Sequence, residues 1–71
     1  MDKQQFVECL GNILTHTCWG ITGAHYEKEI WDEAAVVEFQ HRDPLYVNIT
    51  GDSNAQIILD VMKALMQHVG L

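Results

Sequence analysis

The stretch Leu45-Tyr46-Val47-Asn48-Ile49-Thr50-Gly51-Asp52-Ser53-Asn54-Ala55-Gln56-Ile57-Ile58-Leu59-Asp60-Val61-Met62-Lys63-Ala64-Leu65-Met66-Gln67-His68-Val69 decides the fold. Leu45, Val47 and Ile49 alternate with Tyr46 and Asn48, the period-two pattern of a strand with one face toward a core. After Thr50-Gly51-Asp52 the period changes. Ser53 followed by Gln56 forms a capping box, in which the Ser53 hydroxyl accepts from the Gln56 backbone amide and the Gln56 side chain returns to the Ser53 amide. A helix is therefore predicted from there, closed at its far end by Gly70. At ~100° per residue, Ile57, Ile58, Val61, Met62, Leu65 and Val69 fall on a central stripe, and Leu59 and Met66 widen it. A helix lying on one sheet needs an apolar stripe only ~100° or somewhat more across, and this one covers roughly twice that. The excess predicts a second buried contact.

Upstream, Ala35 to Gln40 places Val37 and Phe39 on one side and Val36, Glu38 and Gln40 on the other. His41-Arg42-Asp43-Pro44 links it to the strand at Leu45, because proline fixes φ and disfavours helix in the residue before it. From Ile21 to Trp31 a looser alternation places Thr22, Ala24, Tyr26, Lys28 and Ile30 together, with Tyr26 and Ile30 expected to point inward and Gly23 marking a site for a bulge. Three strands joined by short connections form an antiparallel meander. The opening segment from Asp2 to about His16 carries Phe6, Leu10, Ile13 and Leu14 at helical spacing, flanked by Val7 and Cys9, and it ends toward Trp19-Gly20. The reading is an α+β fold: one α-β-β-β-α two-layer sandwich over residues 1–71, a three-stranded antiparallel meander with two helices on one face.

Seventy-one residues hold one core and no second domain. Four basic residues against ten acidic give −6, and Lys3, Lys28, Arg42 and Lys63 are too scattered to track a phosphate backbone, so no nucleic acid is expected as partner. No run approaches the ~18 apolar residues of a membrane span, and Phe6 to Leu14 is broken by Glu8, Gly11 and Asn12 without a basic leader. No membrane partner, a cytoplasmic setting and reduced thiols follow as expectations. The acidic concentration at Glu27, Glu29, Asp32 and Glu33 reads as a solvated strand pair, with an acidic inhibitor or nucleic-acid mimic as the functional alternative.

Candidate chemistry is sparse. Gly51-Asp52-Ser53-Asn54 resembles the nucleophile block of GDSL-type esterases, which implies a distant acid and histidine; His68 alone follows Ser53 in the chain, and capping accounts for the serine. Cys9, His16, Cys18 and His25 are the ligand types of a tetrahedral zinc site, the main alternative function, yet structural zinc pairs usually have two to four residues between them, and His16 and Cys18 have only one. Cys9 reads as a small core residue. His25, His41 and His68 could titrate near neutrality but show no partner constellation. No catalytic residue, cofactor or metal is expected, and hence no enzyme.

Val47 to Ser53 followed by Ile57 to Leu65 resembles the C-terminal part of short uncharacterised proteins from phage and mobile elements of low-GC Gram-positive bacteria, over about a third of the chain. The resemblance implies a strand, a capped helix and an accessory role, and it brings no catalytic residue. The function expected is a small self-associating interaction module, a homodimer or a partner of another protein, because large contiguous apolar patches are rarely left open. Its expected interface is Leu59, Met62 and Met66 on the last helix, with Val36, Tyr46 and Trp31 on the outer sheet face as a second contact.

Overall fold

The computed structural model describes residues 1–68. The elements run α1 (Lys3–Leu14), β1 (Ile21–Lys28), β2 (Glu33–Phe39), β3 (Leu45–Asn48) and α2 (Asn54–His68). The strands form one antiparallel sheet in the order β1-β2-β3, with α1 over β1 and α2 over β3. This is the expected α-β-β-β-α arrangement. Val69 and Gly70, expected to finish the last helix, lie outside the described residues.

The core lies between the sheet and the helices. Ala35, Val37 and Phe39 of β2 and Val47 of β3 project into it, with Ile49 just beyond β3. Val7 and Leu14 of α1 and Ile57, Val61 and Leu65 of α2 close over them. Full burial of such a side chain stabilises by about 1.5–3 kcal/mol, and removal from water accounts for the cluster without any directional bond.

Both helices are rotated relative to the stripes expected from spacing alone. In α1 the buried residues are Val7, Gly11 and Leu14, and Ile13 and Cys9 face outward. The cause is Gly11: a Cβ placed there would lie 2.4 Å from the Ala24 backbone nitrogen. The helix seats its one residue without a side chain on β1, and Ile13 is carried off the sheet. In α2 the buried residues are Ile57, Val61 and Leu65, with Met62 half-buried, while Ile58, expected against the sheet, is exposed. A stripe at i, i+4 and i+8 leans across the helix face, and it leaves Ile58 and Leu59 together on the outer side.

The first strand differs most from its expected form. Ile21 pairs with Phe39 and Gly23 with Glu38, so the register shifts between Ile21 and Gly23. The bulge between Ile21 and Gly23, one residue before the expected site, puts Ile21 in the core with Ala24 and Tyr26 packed against it, although they differ in parity, and Thr22 turns out to solvent. β1 stops at Lys28, where the Glu29 amide donates to the Asp32 carbonyl at 2.8 Å to close a four-residue loop. Ile30, expected inward, therefore stands at the hairpin tip beside Trp31, and both are more than four-fifths exposed.

The turn into α2 needs glycine. Asp52 N–H donates to the Ile49 carbonyl at 3.0 Å across Thr50-Gly51, and Gly51 has φ +75°, a left-handed conformation costly for a side-chain-bearing residue. Ser53 Oγ accepts from the Gln56 amide at 3.3 Å, but the Gln56 side chain donates forward to Asp60 at 3.1 Å. One arm of the expected capping box is thus replaced by an i,i+4 bond along the helix.

Candidate functional site

The outer side of α2 holds the clearest surface feature. Leu59 is 62% exposed, Met66 49% and Ile58 41%. Leu59, Met62, Lys63, Met66 and Gln67 bound a groove of about 410 Å³. All five belong to α2, so the groove runs along a single helix and has no opposite wall. It forms because Ile57, Val61 and Leu65 consume the face toward the sheet, while α1 sits over β1 and touches α2 only slightly. The first helix therefore leaves the flank of the second uncovered.

The outer sheet face is different. Val36, expected there as an exposed contact, is buried at 1% exposure although it lies outside the core cluster. Its cross-strand neighbours are His25 on β1 and Tyr46 on β3, and side chains directly opposite one another share a sheet face and sit close enough to cover it. Tyr46 remains exposed, and Trp31 stands at the hairpin tip. Of the six expected interface residues, Leu59, Met62 and Met66 lie together on α2, Tyr46 is exposed on the outer sheet face, Trp31 stands at the hairpin tip and Val36 is covered. Below the tip, Glu27, Glu29, Asp32, Ala34 and Tyr46 line a notch of about 170 Å³.

Glu33 does not belong to the solvated acidic group. Its carboxylate accepts from Lys3 Nζ at 2.8 Å, from the Tyr26 hydroxyl and from the Gly51 amide at 3.1 Å. The Lys3 and Tyr26 bonds, in that order, hold the Glu33 carboxyl down at about 2 against an ordinary 4.5, and the same bond from Tyr26 pushes the phenol up to about 12. Thr50 adds a hydroxyl that accepts from the Glu33 amide at 2.9 Å. One side chain thereby ties α1, β1, β2 and the turn before α2. Sequence spacing gave no sign of this, because Lys3 and Glu33 are thirty residues apart. Beside this knot, the carboxyl of Asp60 raises that of Asp52, and Asp52 in turn lowers Asp60.

The zinc alternative is not assembled: among the described residues no three His, Cys, Asp or Glu side chains converge on a point that could hold a metal. Cys9 and Cys18 are exposed free thiols, so Cys9 is not the core residue expected. Ser53 acts as a cap. His68 stacks against Phe39 at 5.3 Å between ring centroids, and its carbonyl accepts from Arg42 at 3.4 Å. His25, by contrast, has partners that the sequence did not reveal: Nε2 lies 2.6 Å from Glu27 and Nδ1 3.0 Å from Glu38. Both nitrogens are engaged by carboxylates on an open sheet surface. Among the described residues, no helix is long and apolar enough to cross a membrane.

Compared with protein-family models, with curated proteins and with solved structures, the chain matches none.

Proposed function

We propose that this chain is a non-enzymatic interaction module that self-associates through the outer side of α2. The observation that carries the reading is the contiguous apolar row on one helix in which exposed Leu59 and Met66 flank half-buried Met62. Leu59 and Met66 lie on either side of Met62, so an antiparallel two-fold pairing sets Leu59 of one copy on the partner's Met66 and brings the two Met62 side chains together at the axis. Such a contact is self-complementary, as an isologous dimer requires, and methionine adapts its shape to an imperfect match. The outer sheet face is the weaker surface, because Val36 is covered and the same-face neighbour of Tyr46 on β3 is the polar Asn48.

The setting that fits is an intracellular one with Cys9 and Cys18 reduced. An accessory role in a phage or mobile element is supported by the resemblance of Val47 to Ser53 and Ile57 to Leu65 alone. Paired substitutions test the surface assignment. Met66→Asp introduces a charge into the contact and is expected to shift the light-scattering mass toward that of the single chain with an unaltered circular dichroism spectrum. Tyr46→Asp on the opposite face is expected to leave association intact. An associating parent whose mass responds to Tyr46→Asp and ignores Met66→Asp overturns the assignment to α2.

A further inference from the structure

We propose that His25 is a proton-operated latch on the outer sheet face, one that ties β1 to β2 over Val36 when its ring carries both protons and lets go of one carboxylate when it does not. The geometry is specific. His25 Nε2 stands 2.6 Å from Glu27 Oε2, and Nδ1 stands 3.0 Å from Glu38 Oε1. Ionised carboxylates only accept hydrogen bonds, and a neutral imidazole has a single N–H to donate. Both bonds are therefore satisfied together only by the imidazolium. Loss of one ring proton breaks one of them and leaves two acidic side chains flanking an uncharged ring.

The sheet register explains how one ring reaches both partners. Glu27 follows His25 by two residues on β1 and so shares its face, and Glu38 lies diagonally across on β2, opposite Gly23. A glycine at that point leaves the space above Glu38 open, since even a Cβ there would touch nothing within 4 Å. The ring spans the gap beside Val36, its directly opposite neighbour, which Tyr46 flanks from β3. The charged groups facing the ring are Glu27 from β1 and Glu38 from β2. β3 presents the phenol of Tyr46, and both helices lie on the other side of the sheet. The two carboxylates, Glu27 before Glu38, raise the His25 pKa above its ordinary 6.5, so release requires a higher pH than a free imidazole would need. With the latch closed, Val36 beside it is 1% exposed. Open, it uncovers an apolar strip between Val36 and Tyr46. This surface is on the opposite face from α2, and the latch stands or falls independently of self-association.

An NMR titration of the imidazole nitrogens and the Val36 methyl groups tests it. The expected result is a His25 midpoint above 6.5, both ring nitrogens protonated below it, and Val36 methyl shifts that follow the same midpoint. Glu27→Gln and Glu38→Gln should each lower that midpoint, and His25→Gln should abolish the Val36 response while the core methyl spectrum stays folded. A midpoint at or below 6.5, insensitivity to both glutamate substitutions, or a Val36 response that survives His25→Gln overturns the proposal.

Discussion

Gly11→Ala is the substitution whose sign the fold fixes against local propensity. In a helix interior the change from glycine to alanine is ordinarily favourable by about 1 kcal/mol, because the backbone loses less freedom on folding. Here the added Cβ would lie 2.4 Å from the Ala24 nitrogen, 2.7 Å from its Cβ and 2.9 Å from its Cα. Carbon contacts are comfortable near ~3.5 Å, so relief requires α1 to lift from β1 by roughly 1 Å, a gap that forfeits a quarter to a half of each contact it opens. Two of the three clashing atoms are backbone and cannot rotate away. Overpacking of this kind costs about 1–3 kcal/mol, and the upper end applies when a helix must move as a body. The net expectation is a destabilisation of about 1–2 kcal/mol, against a total of ~4–10 kcal/mol for a chain of this length. Urea unfolding followed by circular dichroism at 222 nm measures it, with the midpoint falling and the slope unaltered. A variant as stable as the parent, or more so, would mean that helix propensity wins and that α1 does not sit on β1 through Gly11.

Other substitutions probe other parts of the fold. Leu65→Ala removes a side chain with no exposed surface and should cost about 2–5 kcal/mol in the same assay, enough to leave a marginal or unfolded chain. Gly51→Ala, at φ +75°, should cost about 1–2 kcal/mol although no atom obstructs the new methyl group, because the strain lies in the backbone. The Glu33 carboxyl is held at about 2 in the fold against 4.5 ordinarily; a lowered acid contributes stability that is complete above its unfolded value and drains away as pH falls through the folded one. Unfolding midpoints recorded between pH 5 and pH 2 should therefore decline, and Glu33→Gln, less stable at pH 7, should decline less steeply. Parallel slopes for the two proteins would remove Glu33 from the account.

The elements legible in the sequence were those set by periodicity and turn chemistry. The strand at Leu45, the turn at Gly51, the Ser53 cap and the meander all follow from patterns a few residues long, and Leu59 and Met66 stand exposed as the width of the α2 stripe implied. What periodicity did not give was the rotation of each helix about its own axis. In α1 that rotation is set by Gly11 against Ala24, a contact between residues in different elements, and so Ile13 and Cys9 were assigned to the wrong side. Alternation carried past Lys28 places Ile30 inward, but the hairpin loop begins there. Val36 has outward parity, which implies exposure, and only the register, with His25 on one side and Tyr46 on the other, reveals its neighbours. The bonding of Glu33 and His25 is hidden from the sequence for the same reason. Their partners lie on other strands or helices, and a run of carboxylates looks alike whether it faces water or a lysine.

Sedimentation equilibrium of the unmodified chain across a wide concentration range tests the proposed role of α2 most directly. The account predicts a mass that rises with concentration from 8.1 kDa toward twice that value, with Met66→Asp remaining at the lower limit throughout. A parent chain that stays at 8.1 kDa at every concentration contradicts self-association and leaves the Leu59 and Met66 flank without its proposed occupant.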